Sequence, residues 1–305
     1  MSTLTTPAPG PVSGVLGRVR AFLRLVAIEH SVLALPFAYI ATLTAMWQRD
    51  RRVDWVVLVL VTVAMVAGRT FAMAVNRIID RKIDAVNPRT AGRELVTGVV
   101  SPTTATAGAL VALAVFLGVA AALNRLTLVL SPLAVVPLVA YPYAKRVTWA
   151  PHAVLGLAQA VAPVGAWIAV TGRWSWTAVV LGVAVGAWIG GFDIIYALQD
   201  RQVDERIGVK SLPVRFGPVV ALRVSRVVHL VTVVLLVAFG LLAGLGPVWY
   251  VVVAAAGVGL AYEQRLVSAT DLTRVNRAFF TVNGWLGVGV FVAAVVGLGL
   301  GGLRP

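Results

Sequence analysis

The sequence predicts an all-α integral membrane protein, a bundle of nine transmembrane helices with a polar cavity mouth facing the cytoplasm. Three observations carry that reading. Hydrophobic residues fill 59% of the 305 positions, charged residues only 12%, and the mean hydropathy is +0.91, which is more apolar than a soluble domain. Apolar stretches of about twenty residues, the length that crosses a bilayer as a helix, recur along the whole chain. The charge is segregated as well: 23 Arg and 3 Lys stand against 12 acids for a net charge of +14, and the cations gather in alternate connecting segments. In a membrane chain such an excess first means loops that meet anionic headgroups. No basic, aromatic-interleaved soluble module is present, which argues against nucleic-acid binding. The absence of cysteine excludes disulfide and thiol chemistry.

Taken in order, residues 1–17 are rich in Thr, Pro, Gly and Ser and are expected to form a disordered tail. Residues 18–305 then form a single transmembrane domain. Arg18, Arg20 and Arg24 precede an apolar stretch that runs to Trp47 with no small-residue cleavage site, so it reads as an uncleaved helix instead of a signal peptide. Helices are expected near 25–47, 54–79, 103–123, 126–144, 151–171, 174–199, 219–244, 247–263 and 274–300. If the N-terminus is cytoplasmic, the inside segments hold nineteen cations and the outside segments six, with Arg69 left within the second helix. That bias predicts a multi-pass protein of the cell (inner) membrane with its N-terminus in the cytoplasm.

Two charged islands interrupt the apolar pattern. The first, NRIIDRKIDAVNPRTAGRELVTG at 76–98, repeats an oxygen-bearing side chain every four residues at Asn76, Asp80 and Asp84. At about 100° per residue these three cover roughly an 80° arc of one helix face. The second, DIIYALQDRQVDERIGVKSLPVRFG at 193–217, places Asp193, Tyr196, Asp200 and Asp204 in a similar arc. The islands follow the second and sixth helices, so an even number of crossings separates them and both emerge on one face. Asp80 precedes Gly98 by 18 residues and Asp200 precedes Gly217 by 17, each with a proline soon after, which suggests a distant internal duplication.

A lone aspartate near a membrane surface is usually just solvated. Five phased onto two helix ends repel one another and call for a cation. Carboxylate oxygens suit Mg²⁺, a hard ion that keeps several waters and shares its shell with substrate phosphates. A diphosphate is the implied ligand, with Arg77, Arg81, Lys82, Arg89, Arg93, Arg201, Arg206 and Lys210 able to add charge-assisted contacts. A water-soluble phosphate would not need a membrane bundle, whereas a diphosphate with a long hydrocarbon tail would put its head in the loops and its tail among the helices. Losing diphosphate from an allylic carbon leaves a carbocation, and neutralising the leaving group lowers that barrier.

At this point the residues resemble a family. NxxxDxxxD at 76–84, DxxYxxxDxxxD at 193–204 and the IGVKSLPVRFG phrase are similar to the UbiA superfamily of intramembrane aromatic prenyltransferases, 4-hydroxybenzoate polyprenyltransferases among them. The resemblance implies Mg²⁺-diphosphate binding at Asn76, Asp80, Asp84, Asp200 and Asp204, with Asp193 and Tyr196 lining the second motif. It adds a third patch, YPYAKR, in which Tyr141 and Lys145 match the family's tyrosine-lysine pair near the diphosphate. It implies transfer of a polyprenyl group from polyprenyl diphosphate to a hydroxylated aromatic acid, naphthoate or 4-hydroxybenzoate, for menaquinone or ubiquinone. The chain departs from many 4-hydroxybenzoate enzymes in having Arg77 after Asn76. EHSVLALPFAY at 29–39 and the first island look closer to the menaquinone-route branch.

Other residues admit two readings. Arg69, seven positions before Asn76 and on nearly the same helix face, is an intramembrane cation that needs a partner: the carboxylate of an aromatic acid, or one of the aspartates. Gly182, Gly186 and Gly190 step toward the face of Asp193 and read as close helix packing, or as a groove that admits the isoprenoid chain. Glu29 and His30 are either interfacial or reach the cavity. His152 and His229 are expected to satisfy local hydrogen bonds. Two other functions remain open at this stage, a secondary transporter and a prenyltransferase for an acceptor such as a porphyrin.

Overall fold

A computed structural model describes residues 14–26 and 35–305. Glu29 and His30 lie outside the described residues. The described chain folds into eleven α-helices: α1 (Val15–Leu25), α2 (Leu35–Arg49), α3 (Trp55–Val86), α4 (Pro102–Leu123), α5 (Arg125–Val147), α6 (Pro151–Thr171), α7 (Trp176–Ala197), α8 (Arg201–Ile207), α9 (Leu212–Ala243), α10 (Pro247–Glu263) and α11 (Asn283–Leu300), the last preceded by a π-helical turn at Arg277–Val282. Seven of them, α3, α4, α5, α6, α7, α9 and α11, are long and apolar enough to cross a membrane, while α10 is a shorter apolar helix. Nine transmembrane helices were expected; the described residues hold eleven helices, seven of them of membrane-crossing length and apolarity. Helix α1, which begins inside the tail expected to be disordered, and α8, seven residues within the second island, carry too much charge to register as apolar runs.

Local chemistry sets the helix starts. Asp54, Ser101, Asn124 and Ser211 each accept a hydrogen bond from a backbone N–H in the first turn of α3, α4, α5 and α9, satisfying a donor that the helix leaves orphaned. Helix α5 carries Pro132, Pro137 and Pro142. Pro132 has no N–H to offer the carbonyl of Leu128, and the Ser131 hydroxyl donates to that carbonyl at 2.7 Å instead. Gly98 and Gly217, the two glycines that matched between the islands, adopt φ +79° and +77°, a left-handed backbone that side chains disfavour. The symmetry noticed in sequence therefore extends to backbone conformation. Gly217 also kinks α9, whose helical course begins at Leu212, seven residues ahead of the expected span.

The bundle closes around small residues. A Cβ on Gly186 would lie 2.5 Å from the carbonyl oxygen of Gly156, and one on Gly182 would lie 2.6 Å from that of Ala160. Backbone atoms of α6 and α7 thus touch, which is the packing role expected of the glycine steps. Around this contact lies a core of Phe37, Met46, Leu181, Trp188, Phe239 and Trp249. Outward positions such as Leu110, Leu230, Leu241, Leu242 and Leu300 remain exposed, as a lipid-facing surface requires.

Candidate functional site: a cavity joining the two islands

The first island keeps its predicted geometry because α3 continues helical to Val86, so Asn76, Asp80 and Asp84 share one stripe. The second does not. After Ala197 the backbone bonds tighten to i→i−3, with the N–H groups of Leu198, Gln199, Asp200 and Arg201 donating to Ile195, Tyr196, Ala197 and Leu198. That winding turns about 120° per residue. The expected continuous arc from Asp193 to Asp204 is therefore broken, with Asp193 and Tyr196 on α7 and Asp204 on α8.

The islands nevertheless meet at one end of the bundle. Asp200 accepts two hydrogen bonds from Arg89, Nε–Oδ1 at 2.9 Å and Nη2–Oδ2 at 2.5 Å, and a third from Asn87 at 2.9 Å. Arg89 also donates to the Tyr196 hydroxyl at 3.2 Å and lies over its ring. Burial opposes the charge on Asp200, but the bonds from Arg89 and Asn87 outweigh it and hold the carboxyl below its ordinary value. Asp204 behaves oppositely. Burial, reinforced by the negative charge of Asp200, pushes its carboxyl up to about 6.

On the α3 side Asp80 is almost wholly buried and is paired with Lys145 and, at 3.0 Å, with Arg146. Asp84 pairs with Arg93 at 2.6 Å. Arg77 reaches the other way, donating through Nε to the Leu25 carbonyl at the end of α1. On α7, Asp193 is bound by His152 of α6, Nδ1 to Oδ2, at 2.6 Å.

Beneath this mouth opens a cavity of about 980 Å³, at the upper end of the range for small-molecule sites. Twelve of the residues singled out in sequence line it: Arg69, Asn76, Arg77, Asp80, Asp84, Tyr141, Lys145, Asp193, Tyr196, Asp200, Asp204 and Lys210. Its deeper wall is apolar, built from residues such as Phe37, Met65, Phe116, Leu155 and Phe192. Within that wall the Nε of Arg69 is buried and makes no hydrogen bond among the described residues, so no aspartate serves as its partner there. Of the eight cations expected to surround the site, Arg77, Arg89, Arg93 and Lys210 line the cavity, while Arg81, Lys82, Arg201 and Arg206 do not. Sequence reasoning gave Arg146 no role of its own within the YPYAKR patch, left Asn87 unremarked and gave His152 only a local role. The position of Asn87 two residues before Arg89, in an NPR turn beside the aspartates, was the one available signal.

Among the described residues no three acidic or histidine side chains stand close enough to enclose a metal by themselves. The donor chemistry still fits Mg²⁺, which takes one or two carboxylates and completes its shell with water and phosphate oxygens. Four carboxylates at one mouth offer that, and the arginines and lysines now paired with them have the charge to turn toward a phosphate.

Comparison with known proteins agrees with this geometry. The UbiA prenyltransferase family model matches residues 34–287. A 4-hydroxybenzoate octaprenyltransferase from Alkalilimnicola ehrlichii is 35% identical over 82% of this chain and 84% of its own. Another from Saccharophagus degradans is 31% identical over 96% of this chain and 98% of its own. The apo structure of a UbiA homolog from Aeropyrum pernix K1 superposes with a TM-score of 0.80 at 33% identity, covering 88% of this chain and 98% of that one. A UbiA homolog from Archaeoglobus fulgidus, solved bound to DMAPP and Mg²⁺, shares the fold with a TM-score of 0.71 at 20% identity, covering 92% and 99%. Seven membrane-length helices, a cavity closed by two acidic islands and these matches lead to one conclusion: the chain belongs to the UbiA prenyltransferase family and is a membrane prenyltransferase.

Proposed function

We propose that this enzyme transfers a polyprenyl group from polyprenyl diphosphate to a hydroxylated aromatic acid, releasing diphosphate, in respiratory quinone biosynthesis. The observation that carries the proposal is the cavity itself. Its mouth gathers carboxylates and cations from both islands, its wall is apolar, and Arg69, whose Nε has no hydrogen-bond partner among the described residues, is set inside it. Each part matches one part of the substrates. The diphosphate meets Arg77, Arg89, Arg93, Lys145 and Lys210, the isoprenoid lies along the apolar wall, and the carboxylate of the acceptor meets Arg69, whose planar fork suits it. The names of the relatives, 4-hydroxybenzoate octaprenyltransferases, support 4-hydroxybenzoate as the acceptor, with dihydroxynaphthoate the alternative.

Asp80, Asp84, Asp200 and Asp204 would hold Mg²⁺, which supplies neutralisation of charge on the departing diphosphate. Lys145 and the arginines then exchange their carboxylate partners for phosphate oxygens. Tyr141, beside them in the cavity wall, has a hydroxyl to offer the same group. The apolar wall excludes water, so the allylic cation survives until the ring attacks. We further infer that α2 and α10 cross the bilayer with the seven longer helices, giving nine spans, and that the island face is cytoplasmic in the inner membrane, as the cation bias supports.

The test is an assay of membranes containing the protein with one polyprenyl diphosphate and, separately, 4-hydroxybenzoate and dihydroxynaphthoate, with products identified by mass. A prenylated aromatic acid is the expected result. Diphosphate release with neither acid prenylated would overturn the acceptor class, and a porphyrin acceptor would then be tried.

A further inference from the structure

We propose that Asp193, oriented by His152, is the base that removes the ring proton of the acceptor. The inference rests on the acceptor placement proposed above, and its own evidence is the distinct environment of this carboxylate. Asp80, Asp84 and Asp200 each hold an arginine or lysine. Asp193 instead holds His152, and its Oδ1 makes no hydrogen bond among the described residues while the side chain lines the cavity. The Nε2 of His152 is buried and without a hydrogen-bond partner among the described residues. A proton on Nε2 would be a donor with nothing to bind, so the proton sits on Nδ1 and points at Oδ2. One oxygen of Asp193 is thereby fixed, and the other is left free for a proton.

Asp193 and Arg69 line one cavity. The islands meet where Asn87 and Arg89 bond Asp200; Asp193 stands seven residues before that contact on its chain and Arg69 eighteen before it on α3, so Asp193 lies on the mouth side of Arg69. An aromatic acid anchored by its carboxylate on Arg69 extends its ring toward the mouth, the side that Asp193 occupies. In the reaction the C1–O bond of the prenyl diphosphate breaks and its electron pair leaves with diphosphate. A ring π pair forms the new C–C bond to C1. The ring carbon gives its proton to Asp193 Oδ1, the C–H pair restores aromaticity, and the proton leaves through the mouth to water. His152 acts on the proton transfer through Asp193 Oδ2, as a positioning residue.

Asp193→Asn keeps the shape and still accepts from His152 Nδ1, but it cannot take a proton. With the acceptor deuterated at the substituted ring carbon, the wild type should show a small isotope effect because ionisation limits the rate. In Asp193→Asn kcat should fall by about a hundredfold or more, KM for the prenyl diphosphate should stay near the wild-type value, and the deuterium effect should grow clearly. His152→Ala should show the same growth in isotope effect, and His152→Gln, which restores a donor to Oδ2, should reduce it. An unchanged kcat, an isotope effect that stays at the wild-type level, or a defect confined to KM for the prenyl diphosphate would overturn the proposal. If the wild type itself prenylates no hydroxylated aromatic acid, it is the acceptor reading that has failed instead.

Discussion

Individual side chains at the mouth follow simple electrostatics. Arg69 tests the acceptor side: if its fork binds a carboxylate, Arg69→Ala should raise KM for the aromatic acid by about tenfold or more, the worth of one charge-assisted hydrogen bond, while KM for the prenyl diphosphate changes little. Steady-state kinetics with each substrate varied would decide it, and equal effects on both would point to a structural role. Asp204 tests the mouth. Burial, and then the charge of Asp200, lets its native carboxyl keep a proton up to about 6, whereas an unfolded one releases it near 3.8. The unfolded state therefore loses the proton first as pH rises, so this group lowers stability progressively between those values and keeps it low above them. In metal-free detergent solution Asp204→Asn should melt higher than the wild type at pH 7.5 and match it near pH 4. A lower melting temperature at pH 7.5 would contradict that sign.

At the scale of elements, the contact between α6 and α7 carries the bundle. Gly156 and Gly186 face each other through backbone, so Gly186→Ala drives a methyl group to 2.5 Å from a carbonyl oxygen that cannot swing aside. A cost of about 1–3 kcal/mol is expected from such overpacking, read as a lower melting temperature. Gly118→Ala, which meets nothing within 4 Å, should be tolerated. The same contact positions the site, because α6 carries His152 and α7 carries Asp193. Helix period alone located the stripe on α3. It misjudged the second island, where the chain changes winding after Ala197, and it missed α8, whose charge hides a helix from any count of apolar runs.

For the whole molecule, the proposed chemistry predicts that chelating divalent metal stops turnover and that added Mg²⁺ restores it, measured as prenylated product; full activity in chelator would remove the metal from the mechanism. Both halves of the site were legible in the chain because they follow from composition and period. Apolar length specifies crossings, and phased aspartates specify a face. The same-end placement of the islands followed from parity of crossings, and the contact of Arg89 with Asp200 bears it out. By itself, then, the sequence determined a membrane bundle and two acidic islands on one face, since each of these depends on neighbours within a few turns of helix; Tyr141 and Lys145, which also line the cavity, came from the family resemblance. Only the tertiary structure decided which cation meets which carboxylate, that His152 rather than an arginine holds Asp193, and that Arg69 is left without a partner among the described residues. Apart from Asp84 and Arg93, nine residues away from each other, those pairings join positions 41 to 111 residues apart, and a contact across such a separation is set by how helices pack in three dimensions, which no local pattern encodes.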